Sequence, residues 1–108
     1  MFVQVDSEAG GAVTLEDAEN FTAFHVQVVG SCDAGRLDGI LASSDTGSFD
    51  GERALIRLDA LRRLADGRVG DDWSQKLDGM VGYAQSKGWW HEGSASIVAH
   101  VEGLDSQP

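Results

Sequence analysis

The stretch Asp72–Trp90, DWSQKLDGMVGYAQSKGWW, decides how the rest of the chain is read, because its apolar residues recur at helical spacing and polar signals mark both ends. Trp73, Leu77, Met80, Val81 and Ala84 fall at i, i+4, i+7, i+8 and i+11, which is one stripe of an α-helix. Asp72 is placed to cap the first turn, with Gln75 reaching back as in a capping box, while Lys87 and Gly88 suit the last turn and a left-handed exit. An amphipathic helix needs a surface to lie on. The stripe itself is packing and holds no chemistry.

That surface reads as a sheet. In NFTAFHVQVVG, residues 20–30, Phe24, Val26 and Val28 alternate with Ala23, His25 and Gln27, the period-two pattern of a strand with one wet face. ERALIRLD repeats it with Ala54, Ile56 and Leu58 against Arg53, Leu55 and Arg57, and SASIVAHVEG sets Ile97, Ala99 and Val101 against Ser96, Val98, His100 and Glu102. FVQV at 2–5 and AVTL at 12–15 read as an N-terminal hairpin. Two further helices fill the gaps. One is capped by Asp33 and presents Ala34, Leu37, Ile40 and Leu41; the other is capped by Asp59 and turns Leu61, Leu64 and Ala65 inward before Gly67.

This order predicts an α+β fold: a single-layer antiparallel or mixed sheet of three to five strands with about three helices packed on one face. The outer face then presents His25, Gln27, Arg53, Leu55, Arg57, Ser96, Val98, His100 and Glu102. The polar stretches at 7–11, 43–51 and 66–72 are short enough to be loops, so residues 1–108 are expected to form one domain with a frayed tail at 103–108.

Composition narrows the classes of function. The chain has 108 residues, 42% of them hydrophobic, with 18 acidic against 8 basic residues and a formal charge of −10. Such a charge repels phosphate and anionic lipid, so neither nucleic acid nor a membrane is an expected partner. The charge is uneven: residues 1–35 hold six acids and no Lys or Arg, and residues 53–68 hold five arginines. Cys32 is the lone cysteine and MFVQVD has no signal-peptide character, so a reducing, cytoplasmic location is expected.

Chemistry is sparse. If their strands are neighbours, His25, Arg57 and His100 converge on an anionic small molecule, with His25 or His100 as the proton-transfer group. His25, Cys32, His91 and His100 are potential metal ligands, but no two share a finger or helix-pair spacing, so neither a metal site nor a cofactor is expected. Cys32, just before a helix, reads as packing. Asp45-Thr46-Gly47-Ser48 resembles the active-site tetrapeptide of aspartic proteases over four residues only. Its flanks, ILASS and SFDGE, read as a helix end and a loop, and the run is ordinary turn chemistry. Two adjacent tryptophans leaving a helix do not easily point the same way, so either one joins the core and the other, taken as Trp90, lies at an edge where it can anchor an interface, or both are buried under the sheet margin.

The reading is therefore a small binding or assembly module, a homodimer expected to pair through its sheet face, with Leu55 and Val98, or through the Trp90 edge, with Trp89 beside it. The competing reading is a small enzyme or ligand carrier with its pocket at His25, Arg57 and His100.

Overall fold

The alternating segments become strands, and they are joined by two that are too short to show a period. The computed structural model describes residues 1–21 and 23–104, so the expected tail lies outside the described residues from 105 onward. The strands are β1 (Phe2–Asp6), β2 (Ala12–Glu16), β3 (His25–Val29), β4 (Gly47–Phe49), β5 (Arg53–Arg57), β6 (Trp90–His91) and β7 (Ser96–Glu102). The helices are α1 (Ala34–Ser43), α2 (Leu58–Ala65) and α3 (Trp73–Lys87).

The strands form one seven-stranded mixed sheet in the order β2-β1-β3-β7-β5-β4, with β6 also paired to β7. β1 runs parallel to β3 and β3 parallel to β7, while the remaining pairs are antiparallel. The sheet curls into a half-barrel, so the expected single layer of three to five strands is overturned, while the α+β class, the mixed sheet and the three helices stand. Two causes act together. β4 and β6 add pairing where the sequence reads as loop and helix exit, and right-handed twist accumulates over seven strands until the sheet wraps part of the way around its own contents. α2 touches both β2, at one edge, and β5, near the other, which places it inside the curl.

One cluster of buried side chains fills that interior. Val3, Val5, Leu15, Val26, Val28, Ala54, Ile56, Ile97 and Ala99 come from the sheet and meet Leu37, Leu41, Leu61, Trp73, Leu77 and Val81 from the helices. Each large apolar side chain so buried contributes on the order of 1.5–3 kcal/mol. Leu104, two residues past β7, packs against the same cluster.

The helix ends separate local from tertiary control. Asp33 caps α1, its Oδ1 accepting the Arg36 N–H at 2.8 Å. Gly88 ends α3 at φ 79° in the left-handed region. Asp72 makes no side-chain cap, however, and its carboxylate pairs with Lys76 Nζ at 3.2 Å, so the expected capping box is absent. α2 starts at Leu58, directly from β5, and Asp59 lies in its first turn instead of capping it. Trp73 fixes α3 in place, because its buried indole donates Nε1–H to Ala18 O at 2.7 Å across the core.

Among the described residues no helix is long and apolar enough to cross a membrane.

Candidate functional site

Strand register decides which polar residues meet. β5 and β7 pair Arg53 with His100, Leu55 with Val98 and Arg57 with Ser96, so Arg57 lies four residues from His100 along the sheet, on the order of 13 Å. On the other flank β3 pairs Val26 with Val101 and Gln27 with Glu102, bringing His25 beside His100. The proposed trio of His25, Arg57 and His100 is thus split between two places on the outer face.

The first place holds both histidines. Their rings stack with centroids 5.6 Å apart and an interplanar angle of 17°. Phe2 stacks on the far side of His25 at 5.1 Å, leaving the His25 side chain 22% exposed between two rings. Glu102, two residues beyond His100 and therefore on the same face, sends Oε2 to 3.5 Å from His25 Nε2 and 3.3 Å from His100 Nε2. Neither Phe2 nor Glu102 was singled out as a site residue from sequence. For Glu102 the period-two pattern of β7 was the available signal; for Phe2 it is the parallel register Phe2↔His25, which no local pattern reveals.

Arg57 lies in the second place, an open cleft of about 350 Å³ lined by Asp45, Ser48, Leu55, His91, Ser94 and Ser96 among others. Its guanidinium is already matched: Nη1 donates to Asp45 Oδ1 at 2.8 Å. His91 Nδ1 accepts the Ser94 N–H at 3.1 Å and lies 2.8 Å from Ser94 Oγ, while Ser94 Oγ donates to buried Ser96 Oγ at 2.9 Å. The imidazole is capping the turn over Glu92–Ser94. A general base acting on Ser94 would have to give up that cap.

Asp45-Thr46-Gly47-Ser48 is the turn from α1 into β4. Asp45 is left-handed at φ 60°, Thr46 is buried with its Oγ1 2.8 Å from Ser44 Oγ, and Gly47 opens the strand. Asp45 thus serves a turn and an ion pair. Cys32 is buried in the core cluster beside α1, away from every surface described above.

A third place is apolar. β7 changes neighbours along one edge, from β6 at Ser96 and Ile97 to β3 at Val101 and Glu102, and a hollow of about 80 Å³ opens at the change. Phe21, Phe24, Met80, Ile97 and Val98 line it, with Tyr83 and Trp89 at its rim. Tyr83 and Trp89 meet edge to face at 6.0 Å and remain 57% and 43% exposed. Trp90 instead packs against the core and donates Nε1–H to Glu92 Oε2 at 2.7 Å. Of the two tryptophans, Trp89 is the more open.

No protein-family model, curated protein or solved structure matches this chain.

Proposed function

We propose that the chain is a non-catalytic binding module that pairs with a second copy of itself through the apolar hollow and its aromatic rim. The observation carrying this reading is the exposed Tyr83–Trp89 pair beside a hollow lined by Phe21, Phe24, Met80 and Val98. A projecting aromatic next to an apolar socket is self-complementary under a two-fold axis, where each copy's Trp89 enters the other's hollow. The half-buried Leu55–Val98 cross-strand pair continues the apolar strip over the outer face from the hollow. A stable dimer needs roughly 800 Å² per partner, more than a hollow of this size offers, so the strip belongs to the contact as well.

Charge supports the placement. Among the described residues that line the hollow there is no carboxylate, and Lys87 Nζ lies 5.5 Å from the Tyr83 ring centroid at its rim. The formal charge of −10 is carried elsewhere, where it opposes nucleic acid and membrane partners. A lone, buried thiol at Cys32 suits a reducing cytoplasm. An enzyme or carrier using His25, Arg57 and His100 on one anion has weaker support, because Arg57 is ion-paired to Asp45 at the other end of the face.

Light scattering after size exclusion, over a range of concentrations, tests the proposal. A dimer that dissociates on dilution is expected, and Trp89→Ala should weaken it about 30-fold or more, the effect of losing an interface anchor worth about 2 kcal/mol. A monomer at every concentration overturns the reading.

A further inference from the structure

We infer that His25, His100 and Glu102 form a binding site for one divalent late transition-metal ion, of which Zn²⁺ is the type, on the outer face where β1, β3 and β7 lie side by side. Nothing in this inference depends on the self-pairing proposed above, since the three ligands lie outside the apolar hollow.

The ligand spacing carries the argument. One donor atom from each residue, an imidazole nitrogen or a carboxylate oxygen, can be chosen so that all lie within 4.8 Å of one another. Two edges of this triangle, 3.5 Å from His25 Nε2 to Glu102 Oε2 and 3.3 Å from His100 Nε2 to the same oxygen, are long for a hydrogen bond to a carboxylate, which prefers about 2.7–2.9 Å. They match a different geometry. Bonds of about 2.0–2.2 Å from a tetrahedral ion to nitrogen and oxygen set neighbouring ligands roughly 3.3–3.5 Å apart. Two of the three edges thus have ligand spacing, the third lies within 4.8 Å, and a tilt of one ring completes the set.

The scaffold holds the set in place. All three residues are on paired strands, His25 at the start of β3 and the other two in one i, i+2 step of β7. The Phe2 ring fixes the plane of His25 from behind. Exposure rises from 22% at the His25 side chain to 67% at His100 and 54% at Glu102, so the site is backed by protein and open to solvent in front. That opening leaves a fourth position for water or an anionic ligand. Parallel rings cannot both point a lone pair at one ion, so binding must tilt His100, the more exposed ring, out of its 17° stack on His25.

Donor chemistry selects the ion. Two imidazoles and one carboxylate favour zinc, cobalt, nickel or copper over magnesium and calcium, which prefer all-oxygen sites. The chain's acidic field attracts cations generally. Arg53, the cross-strand neighbour of His100, is the opposing charge and limits affinity.

The test uses the full chain without a histidine tag, titrated with ZnCl₂ by calorimetry and with CoCl₂ by absorption, while NMR follows the ring protons. One ion per chain, reversed by EDTA, is expected, with His25 and His100 signals moving together and His91 unmoved as the internal control. His100→Ala and Glu102→Gln, both at exposed positions, should each weaken binding about tenfold or more with unchanged circular dichroism. His91→Ala should bind as the parent does. Absence of binding at about 1 mM metal, binding unaltered in His100→Ala, or a response centred on His91 would each overturn the site.

Discussion

Gly47 lies so close to Leu55 that a Cβ on Gly47 would fall 1.8 Å from Leu55 O, which leaves glycine as the only residue that fits where β4 pairs with β5. The obstruction is backbone, not the free end of a side chain, so no rotamer change relieves it. Gly47→Ala is therefore expected to destabilise the fold by about 3 kcal/mol, the upper end of the usual overpacking cost, read as a drop in the urea midpoint. Gly79→Ala, on the open face of α3 with nothing within 4 Å of a new Cβ, should instead be neutral or gain up to about 1 kcal/mol. Equal effects at the two sites would reject the close approach as the cause.

The same contact shows where sequence reading stopped. Strands of five to seven residues with clean alternation, such as β5 and β7, declare their buried and open faces, because period two is set by the backbone itself. β4 has only three residues, Gly-Ser-Phe, and its place depends on a carbonyl in another strand and on Asp38, whose Oδ1 accepts the Phe49 N–H at 2.9 Å. None of that is local. Likewise the alternation put His25, His100 and Glu102 on one kind of face, but only the β3–β7 register makes them neighbours and removes Arg57 from them. The curl of the sheet is more remote still, being a sum over seven strands.

Trp73 allows packing and hydrogen bonding to be separated. Its indole is buried and donates to Ala18 O, tying α3 to the loop after β2. Trp73→Phe keeps most of the apolar contact and strands the carbonyl, at a cost of about 1–3 kcal/mol. Trp73→Ala loses the ring as well, and about 3–5 kcal/mol is expected. Chemical denaturation of both variants checks the ordering, and a Trp73→Phe loss equal to the Trp73→Ala loss would mean that the hydrogen bond dominates.

Asp50 gives the fold an acid-sensitive turn. Its Oδ1 accepts the N–H groups of Arg53 and Glu52, each at 2.8 Å, and these bonds, that of Arg53 first, hold the carboxyl below the usual carboxylate range. A depressed folded value means that the contribution is complete above the unfolded value of about 3.9 and disappears as pH falls through the folded one. Asp50→Ala should therefore melt below the parent at neutral pH, and the gap between the two should close as the pH drops under about 3.9. A gap that stays constant down to the acid limit would assign the effect to backbone entropy in the turn instead of to the charged acceptor.

Self-association of a chain carrying a charge of −10 has a salt signature that follows from where the charge lies. The described lining of the hollow is apolar and Lys87 lies against its rim, so pairing there is opposed by the chain's net negative charge and not by a carboxylate of the lining itself. Raising ionic strength from about 0.01 M to about 0.15 M shortens the screening length from about 30 Å to about 8 Å, which removes most of that opposition without touching the apolar contact. The proposed dimer should therefore tighten with added salt. Leu55→Ala, at the half-buried end of the strip, should weaken pairing at every salt concentration and leave the slope unchanged. Sedimentation at several ionic strengths distinguishes this from an ion-paired interface, which would loosen as salt is added.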